Sequence, residues 1–243
     1  MKALYLKEIR SFLSSIIGYV FIIIFLITSG IFHWVISFDT NLLEGTESDL
    51  IPFFNLSPII FLILIPAITM RSFAEERRTG TIELLFTRPI SDFQIVFAKF
   101  LAGVTLVVIA LIPTLCFYFT MYYLGDPVGI IDTGATFVSY FGLILLGATF
   151  VSIGIFASTI TSSQIVAFIF AMFLCWFFYN GLEMIGSFST VGGLDKFFNY
   201  CSVNYHFDSI KLGVIDTSDL IFYFGLIAIF LFASLTVIKS LKK

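Results

Sequence analysis

Five stretches of the chain contain no Asp, Glu, Lys or Arg. They are 28 residues between Arg10 and Asp39, 21 from Leu50 to Met70, 26 from Phe100 to Gly125, 50 from Thr133 to Leu182, and 19 from Leu220 to Ile238. A helix needs about 20 apolar residues to cross a bilayer. The 50-residue stretch is therefore long enough to cross twice if something turns the chain midway. Ser158-Thr159-Ile160-Thr161-Ser162-Ser163-Gln164 does so, since six of its seven residues are polar. The pattern predicts an all-α membrane protein with six transmembrane helices, at about 16–38, 55–70, 95–123, 136–157, 164–183 and 220–238. The second span is short and holds Pro58 and Pro66. Each proline removes a backbone donor, so a kink is expected there.

The polar segments between these stretches differ in kind. Residues 1–14 place Leu4, Leu6, Ile9, Phe12 and Leu13 mostly on one helical side, with Lys7 and Arg10 at headgroup level. Such a helix can lie in the interface plane. The basic start raises the question of a signal peptide, but the apolar stretch that follows is longer than a signal's and no clean A-x-A site ends it. A retained helix is expected. Residues 184–219 form an outer segment with Gly186, Gly192, Gly193 and the aromatic residues Phe197, Phe198, Tyr200, Tyr205 and Phe207. Aromatic enrichment at this point fits a membrane-interface belt.

The segment 71–94 stands out most. It reads RSFAEERRTGTIELLFTRPIS over residues 71–91 and gathers Arg71, Glu75, Glu76, Arg77, Arg78, Glu83 and Arg88 in a chain that is only 12% charged. Ser72 precedes Glu75 by three residues, the spacing of a capping box, so a short helix is predicted to start there. Gly80 interrupts it, and Thr81 can cap a further turn with Glu83 at its positive end. Ile82, Leu85 and Phe86 then share one apolar face, and Pro89 ends the turn. Ser91 and Gln94 form another capping box at the start of the third span. A plain solvated connection, with arginines that hold the topology, accounts for the charge alone. Binding of anionic headgroups accounts for the arginines but not for the acidic residues among them. An apolar ridge inside an ionic rim fits a docking surface for a soluble partner better than either.

Composition agrees with lipid as the solvent. Hydrophobic residues make up 59% of the chain and the mean hydropathy is +1.05. A soluble domain carries about 25% charged residues, twice what is found here. The 32 phenylalanines read as lipid-facing apolar filler. The net charge of −3 gains meaning only when sorted by side. If the N-terminus, residues 71–99 and the C-terminus share one side, that side holds 11 of the 13 basic residues, and the other holds 11 of the 16 acidic ones. Basic loops stay in the cytoplasm, so both termini are predicted to be cytoplasmic, as an even number of spans requires.

Candidate chemistry is sparse. Cys116, Cys175 and Cys201 have no regular spacing and imply neither a disulfide framework nor a metal site. No G-x-x-x-x-G-K-[ST] pattern occurs, so nucleotide hydrolysis by a P-loop is not expected of this chain. The spans lack paired carboxylates, metal-ligand spacing, and a nucleophile set beside a base, so no enzyme activity and no cofactor are expected. His206 and Asp208 are two residues apart and do not share a helical face. His33 is expected at the outer interface of span one, and Glu183 near enough to its span end to reach water. Gly142, Gly147 and Gly154, with Ala148 and Ala157, permit close helix approach in the fourth span. They serve equally well for packing within one subunit or for a seam between two.

The order Ala74-Glu75-Glu76-Arg77, Gly80-Thr81-Ile82-Glu83-Leu84-Leu85 and Arg88-Pro89-Ile90-Ser91 resembles the cytoplasmic coupling region of ABC-2-type permeases, the six-span membrane subunits of ABC transporters. The N-terminal run from Lys2 to Phe12 is similar to that family's interfacial helix. Leu212-Gly213-Val214-Ile215-Asp216, leading into Asp219-Leu220-Ile221, resembles its re-entry into the last span. Size and N-terminus resemble, more narrowly, permease subunits associated with bacterial gliding motility. The resemblance implies a multi-pass protein of the bacterial inner membrane and a separate ABC ATP-binding subunit that docks on the coupling region. It also implies a second permease, either another copy or a different chain, membrane lipids as surroundings, and no nucleic acid. Glu75, Glu76, Arg77 and Arg78 would form the ionic rim of the dock, and Glu83 would also belong to the dock. Ile82, Leu85 and Phe86 would form its ridge, and Lys7 and Arg10 would anchor the interfacial helix. Export and the powering of a gliding apparatus both fit, as does a non-transporting scaffold that passes ATPase-driven motion to surface machinery.

Overall fold

The computed structural model describes residues 1–36, 49–83, 90–188 and 194–242. All regular structure among them is helical. In chain order the helices are α1 (Lys2–Ser14), α2 (Ile16–Trp34), α3 (Ile51–Thr69), α4 (Arg71–Arg78), α5 (Asp92–Leu111), α6 (Leu115–Leu124), α7 (Thr133–Ile160), α8 (Gln164–Trp176), α9 (Leu182–Phe188), α10 (Leu194–Tyr200), α11 (Val203–Ile210) and α12 (Thr217–Leu241). Six stretches are long and apolar enough to cross a membrane: α2, α3 running on into α4, α5 with α6, α7, α8 with α9, and α12.

The predicted number of spans holds, while several boundaries move. The second span begins at Ile51 rather than near 55, because Asp49 Oδ1 accepts the Ile51 N–H at 3.1 Å and Pro52 sits in the first turn, where its missing donor costs nothing. It also does not stop at a capped break. Ser72 makes no cap, and the chain passes through Met70 directly into α4. The capping box expected at Ser72 and Glu75 is therefore absent. Glu75 instead takes a bidentate bond from Arg71 one turn back, at 2.8 and 3.0 Å. The box at Ser91 and Gln94 is present in both directions. Gly80, at φ +70°, ends α4 in the left-handed region that glycine enters without strain. The polar stretch around residue 161 separates α7 from α8 as expected. A short 3-10 turn at Ile112–Thr114 interrupts the third span, and a wide π-type turn at Phe177–Gly181 interrupts the fifth.

α7 is the central helix, with most of its length buried, whereas α2 is largely exposed. It packs on α3, α5, α8 and α12. Its glycines are where neighbours come closest. A Cβ on Gly142 would lie 2.2 Å from Ile210, on Gly147 2.9 Å from Val107, and on Gly154 2.0 Å from Thr69. These small residues are thus used inside the subunit. The phenylalanines are not mainly filler either. Phe25 stacks on Phe61 at 5.0 Å, and Phe53 meets Phe54, Phe117 and Tyr140 within 5.7 Å. His33, expected at the interface, is buried in this group, 5.6 Å from Phe53 and 5.9 Å from Phe117.

Candidate functional site: the charged end of the bundle

Antiparallel spans bring the N-terminus, α4, the start of α5 and the C-terminus to one end of the bundle. Lys242 pairs with Asp92 there, and the Tyr5 hydroxyl shares a 2.9 Å hydrogen bond with that of Thr105. The centre of this end is Lys99. It lies in the second turn of α5, and its side chain is 2% exposed. The ammonium donates to the Ser72 carbonyl at 2.6 Å, to Glu76 Oε1 at 2.9 Å and to Glu8 Oε1 at 3.4 Å. It also stands 4.8 Å from the ring centre of Phe73. Three donors meet three acceptors, and an aromatic face closes the fourth side. One lysine therefore ties α1, α4 and α5 together.

Glu8 was not foreseen as a site residue. It occupies the buried face of α1 together with Leu4, while Leu6, expected there, is exposed. The reason is Lys99: a carboxylate on that face meets an ammonium rather than lipid. Lys7 sits above, with its ammonium 3.1 Å from Glu8 and 3.7 Å from Glu76. Burial pushes the Lys7 ammonium down in pKa, but the two carboxylates outweigh burial and hold it above the ordinary lysine value. Arg10 is exposed.

The charged residues of α4 divide between two faces. Phe73 and Ala74 are fully buried. Glu76, with a side chain 17% exposed, turns inward to Lys99, and its Oε2 has no partner among the described residues. Arg77 reaches the Thr159 carbonyl in the last turn of α7, where the unpaired carbonyls and the helix dipole favour a cation. Arg78 and Glu83 face outward, Glu75 is half-exposed beside Arg71, and Ile82 is partly buried against the core. Leu85 and Phe86 lie outside the described residues. The structure thus brings Glu76, Arg77 and Lys7 into the subunit's own framework and leaves Glu75, Arg78 and Glu83 at its surface.

A second polar cluster lies at the opposite end. His206 on α11 meets Asp219 on α12, with Nδ1 2.6 Å from Oδ1. The Tyr200 carbonyl faces Nε2 at 3.0 Å, Ser209 donates to Asp219 Oδ2 at 2.8 Å, and Phe222 stacks on the imidazole at 4.1 Å. Asp208, the sequence neighbour, pairs instead with Lys211. Sequence reasoning missed the partnership because 13 residues and a turn separate the two groups. Ser209 bonds to the carboxylate rather than to the imidazole, so no nucleophile is activated, and the cluster fastens the outer segment to the last span. Glu183 accepts from Asn204 at 3.0 Å in the same region.

The chain thus forms a helical bundle of six apolar spans, with a charged helix continuing from the second span and fastened to its neighbours. The family described as ABC-2 family transporter protein matches residues 2–238, nearly the whole chain, and the chain belongs to that family. It is a multi-pass membrane protein of a family of ABC transporter membrane subunits, which work with an ATP-binding subunit. No curated protein matches the chain.

Proposed function

We propose that this permease subunit receives the stroke of a separate ATP-binding subunit through α4 and the residues that follow it. One observation carries the reading. α4 is an uncapped continuation of the second span, and two of its side chains fasten it to other spans, Glu76 to Lys99 of α5 and Arg77 to the end of α7. A push on α4 is therefore delivered to three spans and, through Glu8, to α1. Short rigid elements held in this way pass on displacement rather than absorb it.

The docking surface would be the rim of Glu75, Arg78 and Glu83, with the ridge of Ile82, Leu85 and Phe86 seated in the partner. Glu76 and Arg77 would serve behind it as transmission links. By the distribution of Lys and Arg this end is cytoplasmic, in the inner membrane of a bacterium, and a second permease completes the transporter. The narrower resemblance adds that the motion serves export or gliding machinery. To test the dock, the tagged chain is purified from its native host in mild detergent. An ATP-binding protein should accompany the wild type and be lost with Glu83→Lys and Phe86→Asp, while both variants still insert. No ATP-binding protein with the wild type in several mild detergents would overturn the reading.

A further inference from the structure

The elbow between α1 and the first span encloses a cavity that lies behind the proposed docking rim and shares Glu75 with it. Ser15 is extended at φ −97° and ψ 147°, so α1 leaves the axis of α2 there. The bend is tight: a Cβ on Gly18 would lie 2.1 Å from the Phe12 carbonyl oxygen. Beneath it, between α1, α4 and the base of α5, lies a cavity of about 280 Å³. Its walls are of two kinds. Phe12, Ile17 and Ile68 are apolar, while Lys7, Ser11, Arg71 and Glu75 are polar.

The polar wall has unused hydrogen-bonding capacity of both signs. Arg71 spends Nε and Nη2 on Glu75, and its Nη1 has no partner among the described residues. The Ser11 hydroxyl has none either, and Lys7 keeps one of its three donors after Glu8 and Glu76. Each Glu75 oxygen accepts one Arg71 hydrogen and retains a second lone pair. The lining as a whole carries three basic side chains, Lys7, Arg71 and Lys99, and three acidic ones, Glu8, Glu75 and Glu76. A ligand with a single negative charge gains little from such a wall, and one with both signs gains at both ends. Ile16, directly after Ser15, and Tyr19, one turn on, are strongly exposed, so the elbow faces lipid on its outer side.

We propose that the cavity binds the headgroup of a zwitterionic phospholipid of the phosphoethanolamine class. Its primary ammonium donates to Glu75. Its phosphate accepts from Arg71 Nη1, Lys7 and Ser11, and its glycerol region rests on Phe12, Ile17 and Ile68. A choline headgroup satisfies the phosphate side but cannot donate to Glu75. A glycerol headgroup offers Glu75 only neutral hydroxyl donors and brings a phosphate charge with no ammonium of its own to a wall whose cations are already matched by carboxylates. A lipid seated here fills the angle between α1 and the first span and so fixes it.

The test uses the purified full chain in nanodiscs of equimolar phosphatidylethanolamine, phosphatidylcholine and phosphatidylglycerol with identical acyl chains. Lipids retained after mild detergent release are counted by native mass spectrometry. The ethanolamine lipid should be retained at least about tenfold over the choline lipid, the worth of one charge-assisted hydrogen bond. Glu75→Gln should bring that ratio close to one, and Ser11→Ala should lower retention of all three lipids, both with unchanged melting temperature. Equal retention of the three by the wild type, or preference for phosphatidylglycerol, overturns the proposal. Soluble phosphoethanolamine at matched concentration should fail to displace the lipid; displacement would make the occupant a small molecule and overturn the lipid assignment. No ATP-binding partner is in the sample, so the result is independent of the docking reading.

Discussion

Lys99 is an ammonium removed from water, and such a removal costs several kcal/mol unless good partners offset it. Glu8, Glu76 and the Ser72 carbonyl provide that offset. Lys99→Met should leave two carboxylates facing an apolar side chain and lower stability by about 3 kcal/mol, seen as an earlier thermal unfolding in detergent. In a cycle with Glu76→Leu, the double variant should regain at least about 1 kcal/mol of the summed loss, since the two groups act as one unit. Strict additivity would mean that the pair is not coupled. None of this was legible at the level of single residues. A lysine eight residues beyond a capping serine reads as one more basic residue marking a side of the membrane. Glu76 and Arg77 read as part of an exposed run, because their direction is set by the phase of α4, which depends on α3 running on without a cap. His206 and Asp219 were hidden for the same reason: their pairing depends on how α11 folds back on α12.

At the level of elements the sequence was far more informative. Spans are legible because lipid demands that each carry about 20 apolar residues with its backbone bonds satisfied internally. The Ser91–Gln94 box and the break at Gly80 were legible because each rests on local backbone chemistry. What periodicity left open was the use of the small residues in α7, and the close approach of Thr69 to Gly154 assigns them to packing within the subunit. Gly154→Ala should therefore force α3 and α7 apart and destabilise by about 1–3 kcal/mol. Gly225→Ala, on α12, meets nothing within 4 Å and should be neutral or stabilise by up to about 1 kcal/mol. Thermal unfolding of the two variants side by side separates the contact from the general effect of removing a glycine.

For the whole molecule, the arrangement of charge makes a claim about sidedness. The structure gathers α1, α4, the start of α5 and the C-terminus at one end, the grouping that the Lys and Arg count requires. In a chain whose native cysteines are replaced, Lys2→Cys should react with an impermeant thiol reagent only after the membrane is opened, and Asp216→Cys in intact cells. The reverse pattern would invert the topology and place the docking surface outside. The Lys99 cluster has a further consequence in the order of synthesis. Its two carboxylates, on α1 and α4, leave the ribosome before the buried lysine, so until α5 emerges the nascent chain has only the exposed Lys7 to set against two acids at the membrane surface. Arrival of the third span then joins three segments in a single step, and a chain truncated before α5 lacks the buried group that holds α1 and α4 together and keeps only the exposed Lys7–Glu76 pair.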